Sequence, residues 1–396
     1  MKKRTRIYFM LMLLIFLTSC GQSLASKNEE KQGKLDTQVI VEEEKEVALP
    51  DIREIQLVAM GDIMFHNPQL KAAYDPKNGS YRFDEMFSAV SEIVGNADLA
   101  IANLETVTAG KEKKYTGYPT FNTPETALDA IKGMGIDILA TANNHCLDRG
   151  KQGVERTLDE IQKRGIESTG TFKENEKTYL IKEVEGIRLG ILSYTYGCNG
   201  MEGTLTQDQL SKMVNIIDKE KIKADLAYLD KEKVDFSVVI IHWGVEYQRT
   251  PNEMQKELAN EMFDWGADII LGSHPHVVQN SEVVQKNGDS KFIIYSMGNF
   301  ISNQRQETIK NSTGQYTEDG VIVKLVLEKD MNTNLAKIKT VDYQPTWVNR
   351  YRDKGKMQYM VLPLSEEIIG QHKSIKERLI KSYNRTMEKM MVWDIE

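Results

Sequence analysis

Cysteine is nearly absent from this chain. Three occur in 396 residues: Cys20, Cys146 and Cys198. So few thiols cannot build the disulfide framework of a small secreted scaffold or the Cys-rich knuckle of a structural zinc site. Long apolar runs are missing too. The longest, Ile7 to Leu17, has eleven residues, whereas a membrane-crossing helix needs roughly 20. An excess of positive charge is also lacking. The formal charge is −7, a poor balance for a nucleic-acid partner, because phosphate backbones are held by Lys and Arg. No internal repeat of solenoid length is visible.

What is present at the start reads as an export leader, residues 1–20. Lys2, Lys3, Arg4 and Arg6 form a basic region ahead of the apolar run, and Leu17-Thr18-Ser19-Cys20 follows it. That order matches a secretory signal, and a cysteine at this place resembles a bacterial lipobox. Cleavage before Cys20 would leave a diacylated N-terminus, and two acyl chains anchor stably where one is marginal. Loss of the four leader cations takes the formal charge from −7 to −11. Residues 21–50 are polar and charged, with too little apolar content to offset ordering entropy. They are expected to be a tether, a short strand at Thr37 to Val41 being the alternative. One large domain, 51–350, and a helical extension, 351–396, are expected to follow.

Strand and helix patterns alternate from there. Ile55–Met60, Asp98–Asn103, Ile136–Thr141 and Ile166–Gly170 read as buried strands. Helices are expected at Phe83–Val94, at Thr123–Met134 with a Thr cap and Pro at its first position, and at Gly153–Arg164. That alternation predicts an α/β domain with a largely parallel sheet. Further on, Thr178–Val184 and Ile187–Tyr194 flank a Glu185-Gly186 hairpin turn. A long helix is expected over Leu210–Lys231, a strand over Phe236–His242, an amphipathic helix over Asn252–Gly266 and a strand over Asp268–Leu271. Ser281–Gln285 with Lys291–Tyr295, and Val321–Leu327 with Ala336–Tyr343, read as antiparallel pairs. Lys373–Met391 reads as a closing helix.

Five of the six histidines (His66, His145, His242, His274 and His276) fall directly after an expected strand. One such histidine is ordinarily a loop residue. Five, each beside acids or amides, point to a cluster, because ligands of open α/β sheets bind beyond the carboxyl ends of strands. Asp62 ends the first strand. Asn103 and Glu105 end the second and, by alternation, share a side. Asn144 and His145 end the third, with Asp148 close behind. Trp243 and Glu246 follow His242, and Pro275 stiffens the link between His274 and His276. Carboxylates, amides and neutral imidazoles suit a borderline divalent ion such as Zn, Mn or Fe. Ligands scattered from Asp62 to His276 favour a catalytic or binding site over a structural knuckle. Cys146 and Cys198 could approach each other; two free thiols are expected over a bridge.

Six ordered blocks carry a family resemblance: Gly61-Asp62-Ile63-Met64; Asn103-Leu104-Glu105; Asn143-Asn144-His145 with Asp148 and Gly150; His242-Trp243-Gly244 with Glu246-Tyr247; Gly272-Ser273-His274-Pro275-His276; and Tyr295-Ser296 with Gly298-Asn299-Phe300. They resemble the bacterial capsule and poly-γ-glutamate synthesis family, similar in turn to calcineurin-like metallophosphoesterases. The resemblance implies a four-layer α/β/β/α sandwich of the metallophosphoesterase type with one or two divalent metal ions. Asp62, Asn144, His242, His274 and His276 would be metal ligands, and His145 would protonate a leaving oxygen with Asp148 polarising it. Met64 stands where the superfamily has histidine, and the bridging aspartate lacks a counterpart. His66 and Glu105 are the substitutes expected here. Asn103, Trp243, Glu246 and Asn299 are expected to face substrate. The implied role is capsule or poly-γ-glutamate synthesis or export at the cell membrane, beside membrane synthase proteins and an anionic polymer. The site would act either as a metal-dependent hydrolase or as a non-catalytic polymer-binding scaffold.

Overall fold

The computed structural model describes residues 50–392, apart from 175–176, 287 and 310–313. The expected leader, Cys20 and the tether as far as residue 49 lie outside the described residues. Fourteen strands make two sheets among the described residues, a two-residue hairpin at Tyr74–Asp75 and Ser80–Tyr81 aside. In chain order they are β1 (Ile52–Ile63), β2 (Leu99–Leu104), β3 (Ile138–Ala140), β4 (Glu167–Thr169), β5 (Leu180–Val184), β6 (Ile187–Thr195), β7 (Phe236–His242), β8 (Ile269–Ser273), β9 (Ser281–Lys286), β10 (Asp289–Ile294), β11 (Asn299–Ile301), β12 (Asp319–Asp330), β13 (Leu335–Asp353) and β14 (Lys356–Pro363).

One sheet has eight strands in the order β14-β13-β12-β1-β2-β3-β4, with β11 also pairing β1. β1 to β4 run parallel, and β12 to β14 are antiparallel neighbours. The other has six, β9-β10-β8-β7-β6-β5, with β6, β7, β8 and β10 parallel. The period of two along each strand sorts the side chains. Leu57, Ala59, Leu99 and Ile101 meet Leu189, Ile191, Val238, Ile240 and Leu271 between the sheets. Val58, Met60, Ala100 and Ala102 face outward onto α2 (Thr126–Met134) through Leu128, Ile131 and Met134. Val239, Ile241 and Ile270 face the other way, onto α4 (Lys219–Lys231) and α5 (Glu253–Asp264). The result is helix, sheet, sheet, helix, the four-layer architecture expected. Two more helices matter below: α1 (Asn67–Ala73) and α3 (Gly150–Lys163).

Two expected helices are divided. Residues 83–94 form a 3-10 turn, Asp84–Met86, and a short helix, Ser91–Gly95. Phe83, Phe87, Val90 and Val94 are buried, as their spacing requires. The Ser88 and Ser91 hydroxyls, however, donate to the carbonyls of Glu85 and Phe87 and compete with a continuous helix. Residues 210–231 split into Gln207–Met213 and α4, with Asp218 capping the second by accepting from the Lys221 amide. The β-branched stretch between them pairs like a strand. Asn215 N–H donates to Gly170 O, and Ile217 N–H to Thr195 O, each near 2.9 Å. Residues 351–363 continue β13 and β14. Helix resumes at Glu366–Gln371 and ends in α6 (Lys376–Met387). α6 is bolted to the sheet where Ser382 and Arg385 donate to the buried Asp319 carboxylate.

Candidate metal centre

The parallel strands of both sheets end at one edge, and the polar residues gather there. Register sets the neighbours: Asp62 lies opposite Asn103 on β2 and Asn299 on β11, and His242 opposite Ser273 on β8. The segment from Tyr295 to Asn299 threads between the sheets, and two glycines let it pass. A Cβ on Gly61 would sit 1.9 Å from Gly298 O, and one on Gly272 would sit 2.0 Å from Tyr295 O. Neither position can carry a side chain.

At the centre lies Glu105. It is fully buried, and neither carboxylate oxygen has a hydrogen-bond partner. His242 Nε2 and His276 Nε2 each stand 3.7 Å from its Oε1. Burial first, then the Asp62, Glu246 and Asp148 carboxylates, push its acid well above the ordinary range. Asp62 is equally buried and better satisfied. Its Oδ1 accepts from Asn103 Nδ2 at 2.8 Å, and its Oδ2 lies 3.0 Å from His276 Nδ1. His242 is held on both sides, by Ser273 Oγ at 3.0 Å on Nδ1 and by Asn144 Oδ1 at 3.0 Å on Nε2. His274 Nδ1 is buried without a partner. Burial, then the His276 and His145 imidazoles, hold His274 down at about 3. Burial and three imidazoles hold His242 well below the usual range. His274 and His276 both have left-handed backbones, φ 96° and 57°, strain that chains keep mainly where a site demands it.

These observations fit a divalent cation. Donor atoms of Asp62, Glu105 and His276 lie within 4.8 Å of one another, as do those of Glu246, His274 and His276. The lowered pKa values of His242 and His274 favour the neutral form that can coordinate, and a buried carboxylate with no hydrogen-bond partner needs positive charge beside it. Beside these groups lie His242, 3.7 Å from Glu105, and Asn144, whose Oδ1 is 3.0 Å from His242 Nε2.

His145 stands beside it. Its Nδ1 bonds Asp148 Oδ2 at 2.9 Å, and Asp148 also accepts from the Phe121 amide. Phe121 meets the imidazole edge-on, with ring centroids 4.7 Å apart. The ring is thus fixed, and its other nitrogen is left for a ligand. His145 lines a pocket of about 310 Å³ with Met64, His66, Tyr118, Glu246 and His276.

Not every expected residue belongs to the centre. His66 lies on the pocket rim, where its Nδ1 accepts from the Asn303 amide at 3.3 Å and it caps α1. It is not one of the converging donors. Trp243 does not face the pocket. The residue after His242 points to the opposite side, where its indole donates to Tyr295 O at 3.0 Å and packs in the outer core over α5. Asn103 and Asn299 are buried and hydrogen-bond side chains of the centre: Asn103 holds Asp62 and His242, and Asn299 bonds His276. Glu246 lines the pocket as expected. Tyr196 and Ser273 were not singled out from the sequence. Tyr196 lies 4.6 Å from the His274 ring, in a loop without a signature, whereas Ser273 could have been found from its place at a strand end. Cys146 and Cys198 are free thiols, with Sγ atoms 3.6 Å apart.

A family described as bacterial capsule synthesis protein PGA_cap matches residues 56–304. PGA biosynthesis protein CapA of Bacillus subtilis is 30% identical over 281 residues, covering 65% of this chain and 70% of that protein. Capsule biosynthesis protein CapA of Bacillus anthracis is 32% identical over 241 residues, covering 59% of this chain and 57% of that protein, so the chain spans little more than half of the second relative. Among solved structures, a novel phosphatase from Mycoplasma pneumoniae is similar at 13% identity and a TM-score of 0.46, covering 74% of this chain and 94% of that one. The calcineurin-like phosphoesterase YfkN of Bacillus subtilis is similar at 12% identity and a TM-score of 0.42, covering 85% and 98%. The family match takes in every residue of the centre from Asp62 to Asn299, and the chain belongs to the bacterial capsule synthesis protein PGA_cap family.

Proposed function

We propose that this protein serves capsule or poly-γ-glutamate synthesis or export through a metal-dependent, hydrolase-like site acting on a cell-surface polymer or its precursor. The observation that carries the reading is Glu105, an unpartnered buried carboxylate between the His242 and His276 imidazoles, next to the His145–Asp148 pair that opens into the pocket. The relatives' names, PGA biosynthesis protein and capsule biosynthesis protein, supply the biological setting. The leader pattern supports a lipid anchor at Cys20 on the extracytoplasmic face, beside membrane synthase proteins. Among the described residues, no helix is long and apolar enough to cross a membrane.

Asp62, Glu105, Asn144, His242, His274 and His276, with Glu246, would hold one or two ions such as Mn, Zn or Fe. A bound ion supplies Lewis acidity toward a substrate oxygen and offsets the buried negative charge. The chain's own part is defined by geometry. Asp148 bonds Nδ1 of His145 and would steady its imidazolium form, whose Nε2–H would be given to a leaving oxygen, leaving the neutral Nδ1–H tautomer behind. Phe121 excludes water from one face of that ring. Tyr247 and Glu246 line the pocket and would position the substrate.

The test has two parts. Metal content of the purified protein is measured for the parent, Asp62→Ala and His145→Ala. Polymer output is then measured in a producing host that lacks its own copy. Metal lost in Asp62→Ala but kept in His145→Ala, with output abolished in both, supports catalysis. Full output from metal-replete His145→Ala would refute it and leave polymer binding as the role.

A further inference from the structure

A second groove, of about 590 Å³, lies beside the metal pocket, and its chemistry is opposite in sign to the rest of the molecule. Five cations line it, Lys71, Arg350, Arg352, Lys354 and Lys356, and no acidic side chain does, in a chain whose net charge is −7. Among the described residues, Lys71, Arg352, Lys354 and Lys356 make no ion pair within 4.0 Å. Arg350 has one long contact, 3.8 Å to Glu307, a carboxylate already shared with Arg305 and Arg378. Arg352 and Lys356 donate instead to the backbone carbonyls of Gly355 and Tyr74. Unpaired cations this close together repel one another, and a polyanion would relieve that repulsion.

The groove is joined to the pocket. Tyr359, on its wall, donates to Asn303 Oδ1 at 2.5 Å, and the Asn303 amide donates to His66 on the pocket rim. α1 links the two as well, with His66 capping it at the pocket and Lys71 facing the groove. The groove sits at the tip of the β13–β14 hairpin, beyond the carboxyl end of β1.

We infer that this groove is a binding site for a linear polycarboxylate, which lies across Lys71, Arg352, Lys354 and Lys356 and leads into the metal pocket. The inference rests on the proposed function for its choice of polymer and names the surface that overcomes the protein's own negative charge.

The experiment titrates the full chain with poly-γ-glutamate at about 0.15 M salt, where charges beyond roughly 8 Å are screened and only direct contacts register. The groove variant carries Lys71→Ser, Arg352→Ser, Lys354→Asn and Lys356→Ser. Asn is chosen because Lys354 has φ 47° and Asn tolerates that region. A control of equal charge carries Lys111→Ser, Lys113→Ser, Lys223→Ser and Lys231→Ser, all exposed elsewhere. We expect the groove variant to bind about tenfold more weakly or worse, the control to bind like the parent, and chelator to leave binding intact. Equal loss in both variants would overturn the inference, as would no binding by the parent. Binding to phosphatidylglycerol vesicles that the polymer cannot displace would overturn it in favour of a membrane surface. Binding that survives in the groove variant but vanishes with chelator would also overturn it while leaving the metal-site reading in place.

Discussion

Glu105→Gln should reverse the order of stability according to whether metal is present. In the metal-free protein the Glu105 carboxylate is buried without partners, and its donor oxygen lies within 4.8 Å of that of Asp62. At an effective dielectric near 20, two charges at that distance repel by about 3.5 kcal/mol. Burial and the neighbouring carboxylates raise the Glu105 pKa, so a proton on it would relieve part of this repulsion. The amide removes the rest and can donate toward Asp62, so the variant should be more stable than the parent by about 1–3 kcal/mol in chelator. With a divalent ion at about 100 times its dissociation constant, the parent gains about 2.7 kcal/mol. The variant has lost an anionic ligand and should gain little. The assay is thermal unfolding of both proteins at pH 7.5, in chelator and in excess Mn or Zn. A variant less stable than the parent in chelator, or one gaining as much from metal, would refute the assignment of Glu105 as a ligand.

Other outcomes follow from the same coordinates. Burial and neighbouring imidazoles hold His66 at about 4 and His274 at about 3, whereas both would protonate near 6.5 when unfolded. The unfolded state therefore takes up protons first, and stability present above pH 6.5 is lost as pH falls toward 4, by about 1.4 kcal/mol per pH unit per histidine. A Tm of the metal-free protein that stays flat across this window would contradict it. Asp319→Ala strands Arg385 at the sheet and should destabilise the fold by about 3–5 kcal/mol in denaturant titration, whereas a loss below about 1 kcal/mol would show that α6 docks without the pair. Gly272→Ala would place a methyl 2.0 Å from Tyr295 O. We expect a loss of about 3 kcal/mol or more together with failure to bind metal, and a variant with parental stability would show that the backbone there yields freely.

The centre was legible in the sequence because each of its chemical groups follows a short apolar run that can only be a buried strand. Parallel strands bring such residues to one edge whatever the details of packing. Asp62, Glu105, Asn144, His145, His242, His274 and His276 were all singled out in this way, while the four layers were implied by the family resemblance, with which the near-continuous apolar runs of β2 and β7, buried on both faces, agree. The sequence also determined the negative charge and the shortage of thiols. Tertiary structure alone decided the rest. Helical spacing at 83–94 and 210–231 records which side chains are buried but not whether the backbone between them stays helical, and serine hydroxyls and a β-branched stretch broke both. Trp243 lies one residue from His242, and its direction followed from the pleat rather than from its neighbourhood. His66 has the chemistry of a ligand, yet it sits at the start of α1 on the pocket rim, where the Asn303 amide, distant in sequence, bonds its Nδ1. The basic groove joins Lys71 to a hairpin near the far end of the chain, and no local pattern announces it, because separations of that length are closed only by the register of β1, β12, β13 and β14.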